Sequence, residues 1–183
     1  MYRMILAAPK KTVADYMALP VEHGVELIEG RFMMSPAPRY RHQRLVAGFT
    51  SALHQYGNRT GRGEVLPSPI DVVLAPDMVL QPDLIFIFNE NRRIITERIE
   101  GAPDLVVEIL SPSSTDRDLF VKREIYARFG VREYWIVDPD GRTIEVLELR
   151  GSKFELAAIF EEKDILSTPL FPDLALNLAV LWA

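Results

Sequence analysis

The sequence contains no cysteine, which excludes disulfide bonds, thiolate metal sites and a cysteine nucleophile. It also contains no apolar run of the roughly 18–20 residues that a membrane-spanning helix needs. Its amino terminus places a short apolar stretch before Lys10 and Lys11, whereas a secretory signal puts its positive charge first. We therefore expect a protein of the reducing cytoplasm without membrane partners, although a lack of cysteine fits any compartment.

Lysine is scarce as well: of the 21 basic residues, five are lysine and 16 are arginine. Arginine binds phosphate in a bidentate manner, so this bias is compatible with phosphate recognition, but genome composition explains it equally well. The net charge of −5 argues against a protein that coats nucleic acid nonspecifically. It leaves a nuclease open, because bound divalent ions offset negative charge at such a site.

The length of 183 residues and the hydrophobic fraction of 48% predict one soluble globular domain that spans residues 1–183. Helical spacing of apolar residues predicts a helix over residues 40–56, ended by Gly57, and another over residues 115–129, capped by Ser113 or Ser114. The other predicted elements are a short helix over residues 12–19, hairpins over 25–34 and 133–148, strands over 70–74 and 153–160, and a packed tail over 165–183.

Two nearly continuous apolar runs, Leu84–Phe88 and residues 105–110, are typical of strands covered on both faces. They predict the middle of a mixed sheet flanked by helices, and hence a mixed α/β (α+β) fold. Glu108 interrupts the second run, where a lone ionised carboxylate would cost several kcal/mol. The strand therefore implies a partner for Glu108: a cation, a metal ion or a set of hydrogen-bond donors.

Asp83, immediately before the first apolar strand, likewise requires a cation, a metal ion or hydrogen-bond donors as its partner. Two carboxylates on adjacent strands can hold one hard divalent ion, such as Mg²⁺ or Mn²⁺. Taken alone, a carboxylate in a strand is more often a member of a structural ion pair. The helix predicted over residues 115–129 favours the metal site over a structural ion pair. At about 100° per residue, Asp118 and Lys122 lie on the apolar face of this helix and therefore point toward the sheet. Lys122 is thus the expected third member of the group with Asp83 and Glu108, and a local ion pair with Asp118 is the alternative.

Such a group suits the hydrolysis of a phosphodiester. A metal ion held by two carboxylates lowers the pKa of its bound water and polarises the phosphoryl oxygen. A nearby ammonium stabilises the charge that develops on the phosphate. These residue types are the ones that this reaction requires, although other reactions use them too.

The same residues carry a resemblance to known proteins. Asp83, preceded by proline and followed 25 positions later by Glu108, resembles the metal-binding half of the PD-(D/E)XK nuclease superfamily. Residues 104–114 (DLVVEILSPSS) and 133–139 (EYWIVDP), with Lys122 between them, resemble the Uma-type family of predicted restriction endonucleases.

This resemblance covers residues 25–139. It implies a restriction-endonuclease-like fold and a hydrolase that cuts nucleic acid, expected to be DNA, with Mg²⁺ or Mn²⁺ bound by Asp83 and Glu108. The lysine that the superfamily places two residues after Glu108 is absent, because Leu110 stands there. The family is thought to supply it from the following helix, and Lys122 matches that position.

Other residues give weaker signals. Glu26 matches an acidic residue of the family and is expected to be a further ligand or a water-positioning group, with a solvated carboxylate as the alternative. Arg41 and His42 lie in the most basic and aromatic run of the chain, at the start of a helix, and are expected to contact phosphate. Asp71 is a further candidate to reach the metal. The predicted loops hold further candidates for gripping a nucleic-acid backbone, namely Arg59, Arg62, Arg92 and Arg93.

Two functional hypotheses remain open. The first is a metal-dependent endonuclease, expected to be a homodimer because cutting both strands of a duplex usually requires two sites. The second is a non-catalytic module on the same fold that binds nucleic acid or protein. Binding by such a module would be indifferent to Asp83→Ala and weakened by salt.

Overall fold

The structure is a computed structural model that describes residues 9–20, 24–34, 37–111 and 116–183, apart from the side chains of residues 116–119. Its helices are α1 (Val13–Met17), α2 (Tyr40–Thr60), α3 (Asp116–Phe129) and α4 (Leu178–Trp182). Its strands are β1 (Val25–Ile28), β2 (Arg31–Met34), β3 (Gly63–Pro67), β4 (Val72–Ala75), β5 (Met78–Leu80), β6 (Leu84–Phe88), β7 (Ile99–Glu100), β8 (Leu105–Ile109), β9 (Glu133–Asp138), β10 (Thr143–Arg150), β11 (Lys153–Glu161), β12 (Ile165–Leu166) and β13 (Leu176–Asn177).

The central sheet has the strand order β11-β10-β9-β8-β6-β3. Its β8 and β9 strands are parallel and are connected through α3, whereas the other neighbours are antiparallel. Every residue of β6 and β8 is buried. The prediction that these two apolar runs form the middle of a mixed sheet flanked by helices is therefore confirmed.

Each face of the central sheet has its own apolar core. On one face, side chains of α2 such as Phe49 and Leu53 pack with those of the C-terminal tail, including Phe171, against β6, β8 and β9. On the other face, Ile125 and Tyr126 of α3 pack with β4 and β5 of a second sheet. The tail therefore packs on the body of the protein, as its apolar composition predicts.

The second sheet has the order β2-β1-β5-β4-β7. Its β1–β2 hairpin turns at Glu29 and Gly30, which both have positive φ values of 50° and 79°. The predicted hairpin at this glycine is therefore confirmed. The two faces of β1 differ: Leu27 packs with Tyr16 of α1, and Ile28 packs toward α3. Glu26, which alternates with Leu27, thus faces the α3 side of the molecule.

Two sequence-based boundaries are wrong. Helix α2 continues past Gly57 to Thr60 and ends at Gly61, which has the left-handed φ of 62°. Gly57 is small for a different reason, because a Cβ there would lie 2.5 Å from the carbonyl oxygen of Gly63. The glycines of residues 57–63 predict a flexible loop there, but residues 57–60 belong to α2 and β3 begins at Gly63. The predicted cap of α3, at Ser113 or Ser114, lies outside the described residues.

Within the described residues, no helix combines the length and the apolar character needed to cross a bilayer.

Candidate active site

Asp83 and Glu108 lie side by side at one end of the central sheet. Strand β6 pairs antiparallel with β8 so that Leu84 is opposite Val107, and continuing this register by one residue places Asp83 opposite Glu108. Residues directly opposite each other in an antiparallel pair lie on the same face, with Cβ atoms about 5 Å apart. The Ile109 backbone N–H donates to Asp83 Oδ2 at 2.8 Å, which fixes the carboxylate against β8.

Lys122 of α3 lies against both sheets. Its Nζ donates to Glu108 Oε1 at 3.0 Å and is 2.9 Å from Glu26 Oε1. The exposed fractions of the three side chains are 14% for Lys122, 11% for Glu108 and 6% for Glu26. The ammonium is therefore largely shielded from solvent and lies between two carboxylates. Its place on the apolar face of the helix predicts this inward position. The side chain of Asp118, the alternative partner, lies outside the described residues.

Tyr126 also contacts this group, one helical turn after Lys122. Its hydroxyl donates to Glu108 Oε1 at 2.8 Å, and the contact is buried. Helical spacing places Tyr126 on the apolar face of α3, and its ring packs in the core there. The spacing gives no sign of the role of its hydroxyl. One feature of the sequence could have indicated this role. The Glu108 carboxylate, inside an apolar strand, needs hydrogen-bond donors, and a tyrosine on the facing helix can supply one.

His42 lies in the first turn of α2, where its largely buried side chain contacts Asp83. Its Nε2 is 3.1 Å from Asp83 Oδ2, and because an ionised carboxylate can only accept, Nε2 carries the donated hydrogen. Burial lowers the pKa of His42, but the hydrogen bond and the negative charge of Asp83 outweigh it and raise the pKa above its usual value. Its Nδ1 is buried and has no hydrogen-bond partner among the described residues.

Gln81, the residue after β5, contacts Glu26 and Asp71, a role that the sequence pattern does not indicate. The backbone N–H of Gln81 donates to Glu26 Oε1 at 2.9 Å. The Gln81 side chain donates to Asp71 Oδ1 at 2.9 Å, and the Tyr16 hydroxyl donates to the same oxygen at 2.8 Å. Asp71 is thus placed behind Glu26, and the contacts described for it lead to Tyr16 and Gln81 and not to Asp83 or Glu108.

Acidic side chains outnumber the lysine in the group formed by Asp83, Glu108, Glu26 and Lys122, and the pKa values of two members are shifted. Burial raises the pKa of Glu108 to about 7, even though Lys122 lowers it, and the nearby charges of Asp83 and Glu26 add to the increase. Burial alone would lower the pKa of Lys122, but its attraction to Glu108 and Glu26 raises that pKa well above the usual value. The Lys122 ammonium contacts Glu108 and Glu26, and Asp83 lies beside Glu108, so the group contains three acidic side chains and one lysine.

The donor set fits a hard divalent cation in its chemistry. Oxygen ligands from Asp83 and Glu108 are the type that Mg²⁺ and Mn²⁺ prefer, and the contacts described for these two residues use only Oδ2 and Oε1. Mg²⁺ usually binds through one or two carboxylates and keeps several waters. The described part of the chain contains no group of three or more His, Asp or Glu side chains arranged to hold a metal ion.

The arginines predicted to contact nucleic acid lie in two places. Arg41 is at the start of α2, beside His42, and forms an exposed ion pair with Asp140 at 3.0 Å. Arg62 and Arg92 lie at the opposite end of the central sheet, where Arg62 stacks on Phe88 and Arg92 pairs with Glu64. Asp83 and Phe88 are five residues apart on β6, which corresponds to about 17 Å. Only the first group is therefore near the carboxylates.

Comparisons with known proteins identify the family and the fold. The model of the Uma2 family, described as "Putative restriction endonuclease", matches residues 13–179. Among solved structures, the chain is similar to a crystal structure of a "putative nuclease belonging to DUF820" from Anabaena variabilis. The two share 21% sequence identity over 93% of this chain and 97% of that chain, with a TM-score of 0.78. This likeness shows the restriction-endonuclease-like fold that the sequence predicts. No curated protein matches the chain.

Proposed function

Because this chain belongs to the Uma2 family of restriction-endonuclease-like proteins, we propose that it is a metal-dependent endonuclease that hydrolyses phosphodiester bonds in DNA. The observation that carries the proposal is the buried contact of 3.0 Å between Lys122 and Glu108, formed beside the carboxylate of Asp83. An inward ammonium and an unbalanced set of carboxylates would be unfavourable in a protein that had no cation and no anionic substrate to bind there.

Asp83 and Glu108 would hold the divalent ion, Mg²⁺ or Mn²⁺. When bound, such an ion activates a water molecule and polarises the phosphoryl oxygen. The protein contributes the orientation of both ligands. The Ile109 N–H and His42 hold Asp83 through Oδ2, and Tyr126 and Lys122 hold Glu108 through Oε1. Substituting residues that orient metal ligands in this way commonly lowers the metal affinity by roughly 10–100-fold.

Lys122 acts as a fixed cation. Its raised pKa keeps the side chain protonated at neutral pH, so it cannot serve as a general base. It can donate a hydrogen bond to the phosphate and stabilise the negative charge that builds up in the transition state. Glu26 holds the ammonium in place from the second sheet, and we assign it this positioning role in catalysis.

The start of α2 is the proposed contact for the nucleic-acid backbone. Arg41 is exposed there, as are Arg39 and Arg44, and all three lie within three residues of His42, which contacts Asp83. Phosphate contacts at this place would bring the backbone to the carboxylates. A cytoplasmic location and a homodimer with one site for each DNA strand complete the proposal.

The test is a cleavage assay with single-stranded and double-stranded DNA and RNA in Mg²⁺ or Mn²⁺. We expect cleavage by the wild-type protein that is lost with chelator and falls by at least about 100-fold in Asp83→Asn, Glu108→Gln and Lys122→Met. Matched surface changes, Asp77→Asn, Glu97→Gln and Lys163→Met, should leave it unchanged. Cleavage that persists in chelator or in Asp83→Asn would overturn the proposal.

A non-catalytic binding module on the same fold is the second candidate. It is favoured by the lack of a three-ligand metal group in the described residues. It predicts binding of nucleic acid that is equal in wild type and Asp83→Asn, decreases with salt, and is accompanied by no cleavage in any metal.

A further inference from the structure

Strand β11 is an exposed edge of the central sheet. It stands at the end of the strand order, and its outer side has no strand partner among the described residues. It runs over nine residues and includes Leu156 and Ile159, which are 53% and 54% exposed. It also carries three exposed charged residues, Lys153, Glu155 and Glu161. A long edge strand is a template for pairing with another chain, and charges on it limit which chains can pair.

A β-bulge in β11 determines which side chains share a face. Val146 pairs with Ala158 and Leu147 pairs with Leu156, so Ala157 is an extra residue. The face of the strand therefore switches at Ala157. Phe154 accordingly packs in the core on the α3 side of the sheet, whereas Phe160 packs against the core on the other side.

The two exposed apolar residues consequently lie on the same face. Leu156 is two residues after Phe154 and shares its α3 side, and Ile159 alternates with Phe160 and returns to that side. By the same alternation of side chains, Lys153 and Glu162 both lie on the opposite face of the strand, the face of Phe160. The edge thus presents apolar groups on one face and a positive and a negative group near the two ends of the other.

We propose that a second copy of this chain pairs antiparallel with β11, across a two-fold axis at Ala158. In a symmetric antiparallel pair, the residue on the axis lies opposite its own copy. With Ala157 as the extra bulge residue, Leu156 then lies opposite the partner's Ile159, and Lys153 lies opposite the partner's Glu162. Both pairs occur twice, and the two central sheets join into one.

Charge complementarity selects the second copy as the occupant and Ala158 as the axis. This register forms the Lys153–Glu162 pair twice, in which Lys153 joins Glu162 just beyond the end of β11, beside the ion pair that Glu162 makes with Arg142 of its own chain. It also brings the partner's Glu161 opposite Phe154, whose carbonyl accepts a hydrogen bond from Arg123 at 3.0 Å. Moving the axis to Leu156 places Lys153 opposite Phe160 and forms no charge pair. Moving it to Ile159 places Glu155 opposite Glu162, and like charges directly opposite each other destabilise a strand pair.

The inference supplies an interface for the homodimer of the proposed function. It rests on the edge strand and not on the cleavage activity, so the dimer and the cleavage can fail separately. Its first test uses the absence of cysteine, because Ala158→Cys introduces a single thiol at the axis, where it would face its own copy. Mild oxidation should give a disulfide-linked dimer in high yield, whereas Val180→Cys, at a more exposed site distant in sequence, should give little. Equal yields from the two variants would overturn the proposed axis.

The second test is sedimentation equilibrium of the full chain. We expect a dimer for the wild type and a dissociation constant raised by about tenfold or more for Lys153→Glu. The dimer should be recovered in Lys153→Glu/Glu162→Lys, whereas Glu162→Lys alone, which also breaks the pair with Arg142, should weaken it. Lys163→Glu, with the same change of charge outside the strand, should have no effect. A monomeric wild type, or a dimer that Lys153→Glu leaves intact, would overturn the inference.

Discussion

Lys122 on α3 and Glu108 on β8 are joined by a largely buried hydrogen bond of 3.0 Å between Nζ and Oε1. The same ammonium is 2.9 Å from Glu26 Oε1 on the second sheet. One side chain therefore links the two sheets of the protein at the place where we locate the chemistry. Substitutions here are expected to change stability as well as activity, and the two effects can be measured separately.

Lys122→Met should destabilise the folded protein. The variant keeps a side chain of similar length but leaves Glu108 and Glu26 buried without their cation, and breaking a buried ion pair from one side costs about 3 kcal/mol or more. Urea unfolding in chelator measures this loss. Lys163→Met, at an exposed position, should change the unfolding free energy by less than about 0.5 kcal/mol, and equal effects of the two substitutions would contradict the buried contact.

The metal-free protein should become less stable as the pH rises through about 7. Burial raises the pKa of Glu108 from 4.5 to about 7, so the folded state holds a proton that the unfolded state has released. The stability that comes from this proton is fully present below pH 4.5 and is lost as the pH rises through the folded-state pKa. The loss is on the order of 3 kcal/mol.

Urea unfolding in chelator over this pH range provides the measurement, with Glu108→Gln as the comparison. Glutamine cannot ionise, so the variant should lose most of the decrease. The raised pKa of His42 contributes in the same direction and remains in the variant. Identical pH profiles for the two proteins would show that Glu108 titrates normally.

His42→Ala should weaken the binding of Mn²⁺ by about tenfold, because His42 holds one oxygen of Asp83 and so orients the other. His42→Gln, which can still donate to the carboxylate, should keep part of the affinity. Calorimetric titration with Mn²⁺ measures both. His54→Ala serves as the control, since His54 contacts Asn58 on the exposed side of α2. An unchanged affinity in His42→Ala would mean that the contact with Asp83 does not prepare the site.

Arg39→Ala and Arg44→Ala should weaken DNA binding uniformly across sequences. Each lost phosphate contact should lower the slope of log K against log salt by about one. Fluorescence anisotropy with a labelled duplex over a series of salt concentrations gives this slope. Arg92→Ala, at the far end of the central sheet, should leave the slope unchanged, and an effect confined to Arg92 would move the nucleic-acid surface to that end.

The parts of this molecule that the sequence predicts well are those with one dominant physical signal. The run Leu84–Phe88 is apolar on both faces, and it forms a strand with those bounds. Glu108 stands out because nothing else in its strand is polar. Lys122 stands out because a cation on the apolar face of a helix must point at an anion. In each case burial makes the cost of any other arrangement high.

The parts that could not be predicted depend on contacts between distant segments. The contact of Gln81 with Glu26 uses a backbone N–H, which leaves no trace in the side-chain pattern. Gly57 looks like a helix end, yet it is small because the Gly63 carbonyl passes close to it. The turn of His42 toward Asp83 depends on where α2 meets the sheet, and a sequence pattern does not contain that angle.

The proposed metal site is tested most directly by melting curves of the wild-type protein and Asp83→Asn over a titration with Mg²⁺ or Mn²⁺. For the wild type, stability should rise with the logarithm of the metal concentration, by about 2.7 kcal/mol at a hundred times the dissociation constant. Asp83→Asn should show little of this rise, and Asp77→Asn should match the wild type. Equal stabilisation of Asp83→Asn, or none in the wild type, would contradict a divalent-ion site at Asp83 and Glu108.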